Sequence, residues 1–247
     1  VSSITPFNFP IMVPMWTIPN ALVLGNCMIL KPSEQTPLSA FKIAEYLKEA
    51  GLPDGVFQVI NGSKEAVEAI CDHPDIKAVA FVGSSKVAKI VYSRTTSQGK
   101  RALCLGGAKN HMIVVPDADI DSTAKGLLAS SMGSAGQRCM AARVAVGVAD
   151  VDPIIDQLIE EAKKYVLGVD MGTIISRPAF DRIKGYIDNA ENMGAKVLVD
   201  GRNSTPPEGY DNGYWLGPTI LDDVSPDWPC AKEEIFGPVI SLSLIHI

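Results

Sequence analysis

The chain has 247 residues, enough for one large domain or two smaller ones with a buried core. Its net charge is −6 and its basic residues are spread out, which argues against a nucleic-acid partner. No apolar run reaches the roughly 18 residues that a membrane-spanning helix needs. The five cysteines show no CxxC spacing and only three histidines are present, so we expect a reducing compartment, no disulfide framework and no metal site.

The early part of the chain contains two helical patterns. The most apolar early stretch, residues 11–24, is interrupted by two prolines, which favours a buried helix or turn over a membrane span. Further on, Thr36 as N-cap and Pro37 as the first helical residue predict a helix that ends at Gly51.

Short β-rich runs alternate with helical patterns along the rest of the chain. Strands are predicted at 56–60, 78–82, 111–115 and 239–247, and helices at 65–71, 85–95, 122–132, 153–165 and 178–193. The alternation predicts βαβ units and a largely parallel sheet, so the expected fold class is α/β. A second half begins near Ala108, and a Gly/Pro-rich loop covers 200–213.

Both ends of the chain lead us to expect a fragment of a longer protein. The chain begins at Val1 without a methionine, and it stops inside a predicted strand. The last six residues, 242–247, match the translation of a transposase adaptor used in sequencing libraries. We therefore expect 242–247 to be a non-native tail and assign no role to His246.

Asn8 lies between aromatic residues and prolines in the sequence Pro-Phe-Asn-Phe-Pro. Taken alone, this setting favours a buried turn residue that hydrogen-bonds its own backbone. The functional alternative is an amide that donates to an oxyanion, with the backbone N–H of a nucleophile as the second donor.

Lys31 and Glu34 lie where a strand ends in a turn, and ligands of open α/β sheets bind at the carboxyl ends of strands. The two side chains could hold the hydroxyls of a ribose, or they could form a solvated surface pair. Gly83 and Ser84 follow the strand at 78–82 and open a helix whose N-terminus could receive a phosphate. The chain contains no GxGxxG, so the usual dinucleotide fingerprint is absent.

Cys139 lies in the sequence Gly-Gln-Arg-Cys-Met. Most cysteines are small buried residues, but a cation such as Arg138 beside a thiol favours the thiolate, and the glycine leaves room for a substrate. Near the end of the chain, Glu234 and Phe236 belong either to a helix cap running into a turn or to a nicotinamide site. In the second interpretation, Glu234 contacts a ribose and Phe236 packs against the nicotinamide ring.

Together these segments resemble the aldehyde dehydrogenase superfamily over nearly the whole chain. The resemblance implies that Cys139 is the nucleophile and that Asn8 is the oxyanion donor. It implies a Rossmann-type dinucleotide-binding domain at 1–107 and an α/β catalytic domain at 108–241, both incomplete. The residues that it assigns to NAD are Lys31, Glu34, Gly83, Ser84, Glu234 and Phe236.

One departure from that superfamily narrows the resemblance. Cys104 stands where the family keeps its general-base glutamate, and a thiol is a poor base for activating water against a thioester. We expect Cys104 to be a small packed residue. With the segments at 31–34, 106–111 and 137–141, this departure resembles the CoA-acylating methylmalonate-semialdehyde dehydrogenases.

The narrower resemblance implies that methylmalonate or malonate semialdehyde is oxidised, with loss of CO2 and with coenzyme A as the acyl acceptor. It implies that Arg138 binds the substrate carboxylate, which suits a planar guanidinium. It also implies a homotetrameric parent protein in the cytoplasm, or in the mitochondrial matrix of a eukaryote.

Two alternatives stay open on sequence grounds. The first is a hydrolytic aldehyde dehydrogenase with a displaced base, which would release a carboxylic acid without coenzyme A. The second is a truncated chain without catalytic activity, because missing ends would expose apolar surface.

Overall fold

The computed structural model describes residues 1–245 and divides the chain into two compact units, Val1–Gly107 and Ala108–Ile247. Each unit has its own five-stranded sheet. The α/β class and the largely parallel strands are therefore confirmed. The assignment of the units to cofactor binding and catalysis stays a prediction. Of the expected non-native tail, residues 246 and 247 lie outside the described residues, and 242–245 continue the last strand.

The first unit alternates strands and helices from its first residues. Its elements are β1 (Ser2–Ile4), α1 (Met12–Val23), β2 (Met28–Lys31), α2 (Leu38–Glu49), β3 (Phe57–Val59), α3 (Lys64–Asp72), β4 (Ala78–Val82), α4 (Ser85–Ser97) and β5 (Arg101–Leu105). All strands are parallel, in the order β3-β2-β1-β4-β5. The chain moves outward from β1 to β3 and then returns to β4 beside β1, so the order reverses between β1 and β4.

Both faces of this sheet are covered by helices. On one face, Ile18 of α1 and Ala40 of α2 pack with Leu30 of β2. On the other, Ile70 of α3 and Val91 of α4 belong to a separate cluster with residues of β1 and β4. Such a doubly wound sheet binds ligands outside the carboxyl ends of its strands, at the point where the strand order reverses.

Helix α1 corrects part of the expectation for residues 11–24. The stretch is helical despite Pro14 and Pro19, but its buried residues are only Val13, Pro14 and Ile18. Trp16 is 42% exposed and Leu24 is 78% exposed. The predicted burial is wrong for most of the stretch because it is apolar on all sides, whereas only one face packs against the sheet.

Helix α2 begins at Leu38, so the predicted cap at Thr36 is wrong. Pro37 occupies the N-cap position, and the Thr36 hydroxyl donates instead to the carbonyl of Phe7 at 3.3 Å. The predicted end is confirmed, because Gly51 follows the helix with a φ of +91°, a conformation that glycine adopts without a Cβ penalty.

The second unit contains three long helices and a mixed sheet. Its elements are β6 (Asn110–Val114), α5 (Ile120–Met132), a 3₁₀ turn (Gly133–Gly136), β7 (Ala142–Val148), α6 (Asp152–Lys163), α7 (Arg177–Asn192), β8 (Lys196–Val199), a 3₁₀ turn (Gly201–Asn203), β9 (Thr219–Asp222), α8 (Pro229–Lys232) and β10 (Val239–Ile245). The strand order is β6-β7-β10-β9-β8, and β8 alone runs antiparallel to its neighbour.

The first three strands of this order position the site. Because β6, β7 and β10 are adjacent and parallel, the segments that precede them meet at one edge of the sheet. Beneath them lies a core cluster that includes Leu127 of α5, Leu158 of α6 and Ile183 of α7.

Among the described residues, no helix is both long enough and apolar enough to cross a membrane.

Truncation of Leu30 tests the packing under the first sheet. Leu30 is 0% exposed, so we expect Leu30→Ala to lower the free energy of unfolding by about 2–5 kcal/mol. Leu38 is 76% exposed, and Leu38→Ala is the matched control, with an expected change within about 0.5 kcal/mol. Urea unfolding of the purified proteins measures both values. Equal losses in the two variants would contradict the assigned packing.

Candidate active site

In the first unit, the predicted ligand-binding residues lie at the carboxyl ends of neighbouring strands. Asn8 follows β1, Lys31 is the last residue of β2, and Gly83 and Ser84 follow β4. Strand β1 lies between β2 and β4, so these residues share one edge of the sheet despite their separation in sequence. This edge includes the point where the strand order reverses, where a doubly wound sheet binds its ligand.

Asn8 lies in a bend between β1 and α1 and is half-buried. The carbonyl of Phe7 accepts the hydrogen bond from Thr36, and the carbonyl of Phe9 accepts one from the backbone N–H of Val13 at 3.2 Å. The backbone is therefore held on both sides of Asn8 by groups from the start of α1 and from the turn before α2.

Lys31 is only 2% exposed, so the interpretation as a solvated pair is wrong for this residue. Its Nζ donates to the carbonyls of Pro32 at 2.7 Å and Gly62 at 2.8 Å, and it lies 3.6 Å from a carboxylate oxygen of Glu34. Burial lowers the pKa of Lys31, and the neighbouring Glu34 charge opposes that shift. An ammonium has three protons, so one remains for Glu34 or a ligand hydroxyl.

Gly83 and Ser84 form a tight turn into α4. The Ser84 hydroxyl accepts from the backbone N–H of Val87 at 3.5 Å, which caps the helix. The N–H of Gly83 donates to the carbonyl of Leu105 at 3.1 Å. A Cβ at position 83 would lie 2.6 Å from the ring of Phe81, so a larger residue there would require the ring to move.

Cys104 lies in β5, where it packs against the cluster that contains Ile4 and Val79. Burial raises the pKa of its thiol, and the charge of Cys71 acts in the same direction. The structure therefore agrees with the expectation of a small packed residue, and a thiol held protonated is not a base.

In the second unit, Cys139 is a half-buried free thiol in the loop between α5 and β7. The loop begins with Ser134 and Ala135 at φ values of +54° and +52°, a left-handed conformation that costs a non-glycine residue about 1–3 kcal/mol. Gly136 continues at +66°, and a Cβ there would collide with the carbonyl of Gly237. The surrounding structure must therefore hold this loop in place.

Two amide side chains fix the loop that carries Cys139. Gln137 donates to the carbonyls of Ser134 at 3.2 Å and Thr173 at 3.1 Å, and its Oε1 accepts from the N–H of Ile175 at 3.0 Å. Asn110, the first residue of β6, donates to the carbonyls of Cys139 at 2.8 Å and Ala141 at 3.1 Å.

Arg138 is half-buried, and its guanidinium lies over Gly133, where a larger residue would collide with it. Its Nε donates to the Ser134 hydroxyl at 3.3 Å. The Arg138 side chain therefore packs against the preceding residues of the loop, Gly133 and Ser134.

Sequence reasoning missed Arg143, the second residue of β7, which is 1% exposed. One Nη donates to the carbonyl of Gly237 at 2.8 Å, and the other donates to the carbonyls of Gly136 and of Arg138, the latter at 2.9 Å. Burial lowers its pKa to about 10, and the charge of Glu234 opposes the shift. A charged residue inside an apolar strand was the signal that could have revealed it.

Glu234 and Phe236 precede β10 and are half-buried. Phe236 has a φ of +55°, and the guanidinium of Arg143 lies 5.9 Å from the centre of its ring. Arg143 thus links the segment that carries Glu234 and Phe236 to the loop that carries Cys139. The structure brings both predicted pairs of this unit to one edge of its sheet.

Lys109, just before β6, is a second missed residue at this edge. Its Nζ donates to the carbonyl of Cys230 at 2.7 Å. Burial lowers its pKa to about 8, with a further lowering from the charge of Arg143 and opposing contributions from Glu234 and Glu233.

Within residues 1–245, no cluster of three or more His, Cys, Asp or Glu could hold a metal ion.

Comparison with known proteins gives a family match over the chain. A sequence model described as the aldehyde dehydrogenase family matches residues 1–246. The malonate-semialdehyde dehydrogenase of Pseudomonas aeruginosa is 46% identical, over 100% of this chain and 51% of that protein. The mitochondrial acylating methylmalonate-semialdehyde dehydrogenase of Arabidopsis thaliana is 48% identical, over 97% of this chain and 40% of that protein.

Solved structures also show similarity to aldehyde dehydrogenases. A structure from Sinorhizobium meliloti, described as a methylmalonate-semialdehyde dehydrogenase complexed with NAD, superposes with a TM-score of 0.96 at 47% identity. The match covers 98% of this chain and 51% of that one. The methylmalonate-semialdehyde dehydrogenase of Oceanimonas doudoroffii also has a TM-score of 0.96, at 46% identity over 100% of this chain and 52% of that one. The chain thus spans about half the length of the relatives it matches.

The lowered pKa of Lys109 predicts a pH-dependent stability. Between pH 8 and about pH 10.4 the folded chain has released this proton while the unfolded chain still binds it. The free energy of unfolding should therefore rise with pH across this window, by on the order of 1–3 kcal/mol from this group.

Lys109→Met should remove that rise. Lys163→Met is the control, because Lys163 is exposed and paired with Glu160 at the surface. Urea unfolding at pH 7.5 and pH 10 measures the difference between each variant and the parent. A pH slope in Lys109→Met equal to that of the parent would contradict the lowered pKa of this half-buried ammonium.

Proposed function

Since the chain belongs to the aldehyde dehydrogenase family, we propose that the full-length protein oxidises methylmalonate or malonate semialdehyde and transfers the acyl group to coenzyme A. The products are propionyl-CoA or acetyl-CoA, CO2 and NADH. One observation carries the choice of coenzyme A over water: position 104 holds a packed thiol with a raised pKa in place of a carboxylate. Relatives at 43–48% identity support the same choice, because several of them are named acylating dehydrogenases.

We propose that NAD binds at the carboxyl edge of the first sheet. In this proposal, Lys31 and Glu34 hold the adenosine ribose, because a buried ammonium beside a carboxylate offers one donor and one acceptor to its hydroxyls. Gly83 and Ser84 form the turn at the N-terminus of α4, which would receive the pyrophosphate of a bound NAD. Residues 1–107 then form the cofactor-binding domain. When bound, NAD supplies the acceptor for the hydride that the substrate loses.

The second unit, 108–241, is proposed to be the catalytic domain. Glu234 contacts the nicotinamide ribose in this assignment, and Phe236 packs against the nicotinamide ring. Phe236 is suited to this role because the Arg143 guanidinium lies 5.9 Å from the centre of its ring and supports one side of it.

Cys139 begins the proposed reaction. Its thiolate attacks the aldehyde carbon, and the oxygen that becomes negative accepts hydrogen bonds from the Asn8 amide and the Cys139 backbone N–H. Loss of hydride then leaves a thioester on Cys139. Arg138 holds the substrate carboxylate until CO2 is lost, and the thioester carbonyl takes up the developing negative charge as an enolate. A proton from water then adds to the α-carbon of this enolate and gives the propionyl or acetyl thioester.

The acyl group then leaves Cys139. The thiolate of coenzyme A attacks the thioester carbon, and the Cys139 thiolate is the leaving group. Hydrolysis would need a base to deprotonate water, and Cys104 cannot act as one while burial keeps its thiol protonated.

We also propose that the full-length protein is a homotetramer, which size-exclusion chromatography with light scattering would test. Two eukaryotic relatives of this chain, from Arabidopsis thaliana and Homo sapiens, are named as mitochondrial proteins. For this chain we propose the mitochondrial matrix if its source is a eukaryote and the cytoplasm if it is a bacterium.

The acyl acceptor is tested with the full-length protein, malonate semialdehyde and NAD, by following NADH with and without coenzyme A. We expect sustained turnover with acetyl-CoA as product only when coenzyme A is present. Cys139→Ala should abolish turnover, because no thioester can form. Equal steady turnover without coenzyme A would make water the acceptor. Substantial oxidation by Cys139→Ala would refute the nucleophile.

The carboxylate role of Arg138 is tested by comparing two aldehydes. We expect Arg138→Leu to lower kcat/KM for malonate semialdehyde by roughly 10- to 100-fold, because a charged hydrogen-bonded pair is lost. Propanal has no carboxylate to pair with Arg138. Its kcat/KM in the variant should therefore stay within about threefold of the value for the parent. Equal losses on both substrates would contradict this role.

A further inference from the structure

Arg143 makes an unusual set of contacts for a buried cation. Its described hydrogen bonds all go to backbone carbonyls, those of Gly136, Arg138 and Gly237. The first two belong to the loop of Cys139 and the third to the segment after Phe236. A guanidinium has several donors in one plane, so it can hold these carbonyls at the same time.

The bond to Arg138 determines the direction of a second group. The peptide unit between Arg138 and Cys139 contains the carbonyl of the first residue and the N–H of the second. In a planar trans peptide these two groups point in opposite directions. Because the Arg138 carbonyl points at Arg143, the N–H of Cys139 points away from the buried guanidinium.

The same contact opposes a flipped peptide. Rotation of this unit would turn the Cys139 N–H towards Arg143, and a guanidinium has no acceptor to receive it. Asn110 holds the next peptide unit through the carbonyl of Cys139 at 2.8 Å. The two peptide units on either side of the Cys139 Cα are thus fixed by different side chains.

We propose that Arg143 is a positioning residue that orients the Cys139 backbone N–H as an oxyanion donor. This inference rests on the proposed function, in which Cys139 is the nucleophile. A fixed N–H lowers the free energy of a transition state that builds charge on the aldehyde oxygen. It does not affect a reaction of the same thiol that builds no oxyanion.

Two reactions of Cys139 separate positioning from general disorder. Oxidation of propanal in the pre-steady-state NADH burst requires the oxyanion donor. Alkylation by iodoacetamide, followed at Cys139 by peptide mass spectrometry, does not require it, because the sulfur displaces iodide directly. Propanal is chosen because it makes no use of the carboxylate site proposed for Arg138.

In the full-length protein, we expect Arg143→Met to slow the burst by roughly 100- to 1,000-fold and to change the alkylation rate by less than about threefold. Arg143→Lys keeps the buried positive charge. The arginine contacts the three carbonyls through two separate nitrogen atoms, and the single nitrogen of a lysine cannot reach all three. It should show the same selective loss, and it replaces Arg143→Met if that variant does not fold.

Arg202→Met is the matched control. Arg202 is another largely buried arginine of the second unit, and it pairs with Asp188, Glu191 and Asp200. Both of its rates should stay within about twofold of the parent, because it does not touch the loop of Cys139.

Three results decide the matter. A burst at the parent rate in the Arg143 variants would overturn the inference. Equal loss of burst and alkylation would also overturn it, because the loop would then be generally disordered. A burst that persists in Cys139→Ala would instead refute the proposed function and remove the nucleophile on which the inference rests.

Discussion

The buried guanidinium of Arg143 is the interaction on which the second unit's site depends. The loop of Cys139 follows a 3₁₀ turn and belongs to no α-helix or strand, and side chains bind several of its carbonyls. Arg143 binds two of these carbonyls and one from the segment after Phe236. The left-handed residues Ser134 and Ala135 persist because such contacts over-determine the loop.

The predicted site residues lie at the carboxyl ends of the strands in the first unit and at the amino ends of the strands in the second. In the first unit, Asn8, Lys31 and Ser84 follow strands, as expected for a doubly wound sheet that binds a dinucleotide. In the second unit, Cys139 and Phe236 precede adjacent strands β7 and β10. In each unit, adjacent parallel strands bring short segments from distant parts of the chain together at one edge of the sheet.

The chemistry proposed for the protein follows from the residue at 104 as well as from the one at 139. A cysteine nucleophile is compatible with either water or a thiol as the final acyl acceptor. The packed thiol of Cys104 supplies no base for water, whereas the thiolate of coenzyme A carries its own nucleophilic charge.

The sequence by itself determined the alternation of strands and helices and the residue types of the site, because hydrophobic periodicity and turn residues are local properties. It did not reveal the short strands β1, β8 and β9, whose three or four residues carry too little pattern. It also did not reveal the longer strands β5 and β7. Only the tertiary structure showed that Lys31 is buried rather than solvated. Arg143 likewise acquires its role from Gly237, 94 residues away, and contacts at that distance arise from strand order rather than from local sequence.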